Sequence, residues 1–133
     1  MPLPDRLARL HTAILRVVER HAPSQAAVEA PFHGVSARSA LQLAHARGVV
    51  LAALGVSGLR VFEYSPATIK KAVTGNGRAE KQQVEAMVSR LLAEGGSQGK
   101  TDIADAIAAA LCHLFGMGHV DALHRAGVFR TRR

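Results

Sequence analysis

The first segment of the chain sets Leu7, Leu10, Ile14, Val17 and Val18 at the steps of an α-helix, with Arg6, Arg9, Arg16, Glu19 and Arg20 on the other faces. This predicts a helix from about Pro4 to His21, stopped by Pro23. Gln25 to Glu29 is a short apolar run that ends on a carboxylate before Pro31, and it reads as a buried strand. Ser36 offers an N-cap to a long Ala-rich helix carrying Ala40, Leu41, Ala44, Leu51 and Leu54 on one side, with Gly55 placed to end it. Leu59 to Tyr64 alternates like a strand, and Ser65-Pro66 then starts a short helix through Val73. Beyond the Gly75-Asn76-Gly77 turn, Val84, Met87, Val88, Leu91 and Leu92 predict a helix from about Arg78 to Glu94, followed by a flexible loop over Gly95 to Gly99. The last helix, from Asp102 to about Phe115, is expected to bury Ile103, Ile107, Leu111 and Leu114, leaving Asp102, Asp105, Ala109, Cys112 and His113 on its other face. Residues 116–133 form a basic tail with four arginines against one aspartate, expected to be mobile. The order of elements is that of an α/β domain with only two strands, which leaves both sheet edges unpaired.

At 133 residues the chain is one small domain, and large enzymes are excluded. A net charge of +7 points to a polyanionic partner, while 48% hydrophobic residues imply a folded core rather than a disordered basic arm. The single cysteine, Cys112, cannot form an internal disulfide, so a reducing cytoplasm is the default location. No uninterrupted apolar run approaches the roughly 18 to 20 residues that cross a bilayer, and the first residues lack a signal-peptide pattern, so no membrane partner is expected.

Glu29 at a strand end, with Asp102 and Asp105 three apart on one helical face, offers three carboxylates that a suitable fold could gather. Such a set calls for a hard cation such as Mg²⁺, and two ions roughly 3.5 to 4 Å apart suit phosphodiester hydrolysis. The structural alternatives are that Asp102 caps its helix, that Asp105 faces the helix dipole and that Glu29 is a solvated strand end. Lys70, Lys71, Arg78 and Lys81 bracket the Gly75-Asn76-Gly77 turn and can track phosphates, or simply form a solvated surface. Phe32, in a loop, can wedge between bases or pack beneath that loop. Cys112, His113, His119 and His124 lack zinc-site spacing, the turn lacks a phosphate-binding fingerprint, and no nucleophile elbow occurs.

The blocks Ala26-Ala27-Val28-Glu29-Ala30-Pro31-Phe32, Arg38-Ser39-Ala40-Leu41 with Ala46-Arg47-Gly48, and Val61-Phe62-Glu63-Tyr64 resemble, in order and spacing, the RuvC-type crossover junction endodeoxyribonucleases. Ile69-Lys70 through Gly75-Asn76-Gly77-Arg78-Ala79-Glu80-Lys81-Gln82-Gln83-Val84, then Thr101-Asp102-Ile103-Ala104-Asp105-Ala106 and Cys112-His113, continue the resemblance to about residue 115. The resemblance implies a ribonuclease H-like α/β nuclease domain over residues 1–115. It also implies a homodimer that cuts four-way (Holliday) junction DNA with Mg²⁺, or Mn²⁺ in its place, alongside a branch-migration helicase. It casts Glu29, Asp102 and Asp105 as catalytic metal ligands, Phe32 as the aromatic at the junction centre, and Lys70 and Lys81 as basic groups near the scissile phosphate. Arg78, between them, is a further candidate DNA contact.

Two departures from the family pattern bear on this expectation. The family's first catalytic aspartate sits in a Gly-hydrophobic-Asp-Pro-Gly strand motif that occurs nowhere in this sequence, and Met1 to Leu7 aligns with the start of the family's first helix. Three N-terminal strands are thus expected to be absent, and a nucleic-acid-binding module without cleavage is the competing function. Gly34-Val35-Ser36 also stands where the family more often carries a Lys-Asn pair.

Overall fold

The computed structural model describes residues 1–30, 36–92 and 101–125. The chain divides into two compact units, Met1–Glu63 and Tyr64–Arg133.

In the first unit, α1 (Leu3–His21) is followed by β1 (Gln25–Glu29), α2 (Ala37–Val56) and β2 (Arg60–Tyr64), whose last residue opens the second unit. α1 starts on Pro2 and ends at Ala22, whose φ of 45° is left-handed. Without a glycine there, that turn is strained. Ser36 caps α2 as the sequence predicts, accepting from the Ser39 amide. The helix stops later than Gly55, however. Gly58, at φ 74°, takes the left-handed position, its amide bonding the Gly55 carbonyl while the Leu59 amide reaches Leu54. This pair of bonds closes the last turn in the Schellman manner. β1 and β2 pair as a two-stranded parallel sheet, and α1 packs on α2.

Little of this unit is deeply buried. Among its described residues only Ala53 and Leu54, at the end of α2, lie in the interior, while Leu41 is 59% exposed and Ala40 and Ala44 are exposed as well. The apolar side expected of α2 is therefore buried only toward its C-terminal end. By length and composition α2 would also suffice to cross a membrane, with a mean hydropathy of 1.3. No uninterrupted apolar run announces this, because Ser39, Gln42, His45 and Arg47 are scattered among its alanines and leucines. Its central arginine is engaged in two protein contacts described below.

The second unit contains α3 (Pro66–Thr74), α4 (Lys81–Leu91) and α5 (Thr101–Arg125), each of which packs on the other two. Ser65 caps α3 through the Thr68 amide with Pro66 at the first position, and Gly75, at φ 81°, ends it. Ile69, Val73, Ala79, Val84, Val88, Ala108, Ala109 and Cys112 form one core, with Val88 wholly buried.

Three expectations are corrected here. α4 begins at Lys81 rather than Arg78, because Glu80 and Gln83 close a capping box that fixes the start. α5 turns its core face away from the one expected: Ala104, Ala108, Ala109, Cys112 and His113 are inside, Ile107 and Leu111 are half-buried against the core, and Ile103 and Leu114, at 43% and 60% exposure, are outside. Alanines let α3 and α4 approach the helix closely, and this proximity outweighs the larger transfer energy of isoleucine and leucine side chains. Finally, α5 continues past Phe115 to Arg125, so part of the segment assigned to the tail is helical; residues 126–133 lie outside the described residues.

Candidate nuclease site

In the first unit, Glu29 ends β1 with its side chain at the exposed end of the strand. Its backbone carbonyl accepts from Arg47 Nη1 at 2.7 Å, and the same guanidinium donates through Nη2 to Glu63 Oε1 at 2.5 Å. One arginine of α2 thereby ties the end of β1 to β2. The ion pair is partly exposed on the Glu63 side, so its worth is a positional restraint more than a large stability term. This positioning role was not assigned from sequence, although an arginine in the middle of an apolar helix is the signal that could have found it.

In the second unit, α5 starts at Thr101, so Asp102 and Asp105 stand in its first two turns on the surface. Asp102 lies inside the first turn rather than at the N-cap, where it still faces the positive end of the helix dipole. Asp105 lies on the face whose continuation, Ala109 and Cys112, enters the core, which places it at the rim of the packed helices. Lys81, at the first position of α4, sets its ammonium 3.3 Å from Asp105 Oδ2. The capping box that delays the start of α4 is thus what delivers Lys81 to the carboxylate.

The Gly75-Asn76-Gly77 turn is tied by its own side chains. Asn76 Oδ1 accepts from the Arg78 amide, and Thr74 Oγ1 accepts from the Asn76 amide. Gly77 makes a close approach, since a Cβ there would meet the Ala67 carbonyl oxygen at a tight 3.3 Å. The turn displays Arg78 on the surface, and Lys70, half-buried on α3, makes no ion pair with a described residue. Phe32 lies outside the described residues.

The structure thus brings Lys81 to Asp105 within the second unit and anchors the strand that carries Glu29 in the first. Among the described residues no three His, Cys, Asp or Glu side chains form a metal-binding group. The donor chemistry present still suits a hard cation: two surface carboxylates at i and i+3 match Mg²⁺, which keeps most of its waters and takes one or two carboxylates together with substrate phosphates.

Cys112 and His113, the nearest approach to a zinc motif, serve the core instead. His113 Nδ1 lies 2.5 Å from the Tyr64 hydroxyl, and Cys112 Sγ lies 3.9 Å from the Thr68 carbonyl oxygen. Burial raises the Cys112 thiol above its ordinary range, and burial together with Cys112 does the same for the Tyr64 hydroxyl. A raised thiol is a poorer nucleophile, in keeping with a packing role for Cys112.

Residues 1–113 match the family described as crossover junction endodeoxyribonuclease RuvC. RuvC of Koribacter versatilis is 43% identical across 92% of the chain and 74% of its own length, and that of Sphingopyxis alaskensis is 50% identical across 84% and 70%. The chain belongs to the RuvC family. Its span varies among relatives: it is 60% of the length of RuvC from Anaeromyxobacter dehalogenans, which is 48% identical, and 54% of that from Anaeromyxobacter sp. strain Fw109-5, which is 47% identical. Among solved structures, Thermus thermophilus RuvC superposes with a TM-score of 0.78 at 33% identity, over 96% of this chain and 72% of that one. The same RuvC in complex with Holliday junction substrate gives 0.76 at 32% identity, over 86% of this chain and 70% of that one. The ribonuclease H-like α/β fold implied by the sequence resemblance is therefore the fold of this chain.

Proposed function

We infer that this chain is a structure-selective endonuclease that resolves four-way DNA junctions by metal-dependent phosphodiester hydrolysis. The observation that carries the reading is the family match over residues 1–113, which includes Glu29, Lys70, Lys81, Asp102 and Asp105. In this reading Glu29, Asp102 and Asp105 hold the cation, with Mg²⁺ as the working ion and Mn²⁺ able to replace it. When bound, the ion supplies an activated water and charge stabilisation at the phosphate.

The remaining steps fall to side chains of the chain itself. Arg47 fixes the backbone at Glu29 and so sets where that carboxylate stands. Lys81 neutralises Asp105 until substrate arrives and then offers its ammonium to the charge that develops on the phosphate oxygens. Lys70 and Arg78, on either side of the rigid turn, hold the flanking phosphates, and Phe32 contacts bases at the branch. The family resemblance also supports a homodimer, a branch-migration helicase as partner and cytoplasmic location.

The test is to separate cleavage from binding. Glu29→Gln and Asp105→Asn should each abolish Mg²⁺-dependent nicking of a synthetic junction while leaving junction affinity within a few-fold of the parent. Equal loss of both activities would contradict the ligand role.

A further inference from the structure

α1 carries four arginines, Arg6, Arg9, Arg16 and Arg20, all exposed. At about 100° per residue they fall within a sector of about 80°, and they extend over about 21 Å of the helix axis. Neither ion pair among the described residues involves them, although Asp5 and Glu19 lie on the same helix. Arg16 and Arg20, one turn apart, repel each other. Asp5 and Glu19 project about 20° and 60° outside that sector, which itself carries one sign of charge, whereas a merely solubilising face would interleave both within it. Between Arg9 and Arg16 the surface dips over Ala8, Thr12 and Ala13, which leaves room for a close approach. Arg6 shares the groove between α1 and α2 with Arg38, which carries the positive surface onto the next helix.

We propose that this arginine face is an accessory contact for the sugar-phosphate backbone of a duplex arm, separate from the residues of the candidate nuclease site. Guanidinium groups hold phosphate oxygens with paired donors, and a stripe of about 21 Å runs past roughly six nucleotides of one strand at about 3.4 Å each. An anionic lipid surface fits less well, because the opposite, apolar side of α1 is packed on α2 rather than free to insert. The proposal rests on the DNA-binding reading, which the experiment tests separately.

Junction affinity is measured by fluorescence anisotropy across a salt series for the parent chain, for the variant Arg6→Gln with Arg9→Gln, Arg16→Gln and Arg20→Gln, and for Arg90→Gln. Arg90 is exposed on α4 and supplies the baseline per charge removed. The proposal predicts that the logarithmic salt slope of the four-arginine variant shrinks by about 0.9 for each phosphate no longer neutralised, up to about 3.6. The corresponding Arg→Lys variant should retain the parental slope. A decrease per charge no larger than that of Arg90→Gln overturns the proposal. Should circular dichroism show that the four-fold variant has lost helix, the pair Arg9→Gln with Arg16→Gln decides by the same criterion, with an expected decrease of about 1.8. A parent chain without salt-dependent DNA binding would instead refute the underlying reading, and with it the proposal.

Discussion

The two units of the chain reach order by different means. Tyr64–Arg133 is built around a packed core, in which three helices enclose Val88, Ala108, Cys112 and their neighbours. Met1–Glu63 has two helices of 19 and 20 residues with many apolar positions, yet among its described residues only Ala53 and Leu54 are deeply buried, and Val56 is 73% exposed. Its order rests on local devices: the amphipathic pairing of α1 with α2, the Ser36 cap, the turn closed by Gly58 and the Arg47 tie between strands. Hydrophobic periodicity thus says which residues share a face, but not whether that face is covered.

The sharpest test of this contrast places the same substitution in each unit. Val88→Asp buries an unpaired carboxylate and should abolish the cooperative unfolding transition, a loss of about 4 kcal/mol or more. Leu41→Asp places a charge on a surface already open to water and should change stability by about 0.5 kcal/mol or less. Denaturant titrations compare the two. A large loss at Leu41 would mean that the face of α2 is covered in solution, for example by a second copy of the chain.

An intermediate effect is expected at Arg47. Replacing it with methionine removes a charge-assisted bond to the Glu29 carbonyl and an ion pair to Glu63, and should cost about 1 to 2 kcal/mol. Because Arg47 acts through the position of Glu29, junction cleavage should fall more than junction affinity. Equal losses would make the residue merely structural.

The second unit should also respond to alkali. Burial raises both the Cys112 thiol and the Tyr64 hydroxyl above their ordinary values of 9.0 and 10.0. The unfolded chain therefore loses these protons first. Stability is full below about pH 9 and declines as pH rises through the ordinary values toward the raised ones. Thermal melts from pH 8 to 11 should show this fall, and Cys112→Ala should remove its earlier part. Unchanged curves would mean that the two groups are not shielded from water.

The smallest expected change is a gain. Ala22→Gly relieves a left-handed alanine at the end of α1 and should stabilise the chain by about 0.5 to 1 kcal/mol, measured by denaturant midpoint.

Much of this architecture was legible in the sequence because its signals are local. Pro23, Ser36 and the Ser65-Pro66 pair announce helix ends through backbone chemistry that does not depend on the rest of the fold. What escaped depends on neighbours. The buried face of α5 follows from how closely α3 and α4 approach, which favours Ala104 and Ala108 over Ile103 and Leu114. Lys81 meets Asp105 because a capping box moves the start of α4 by three residues, a small shift in sequence that decides a contact in space. The spacing of Glu29, Asp102 and Asp105 is enough to nominate them as ligands, but it leaves capping and dipole roles equally open, and only the family resemblance chooses between them.

The most direct test of the account is to incubate the purified chain with a synthetic four-way junction and with a linear duplex of the same sequence, each with Mg²⁺ and with chelator. The account predicts paired nicks at the branch of the junction only when Mg²⁺ is present, and none in the duplex. Salt-sensitive binding without nicks in Mg²⁺ or Mn²⁺ would contradict it and leave a DNA-binding module in place of a nuclease.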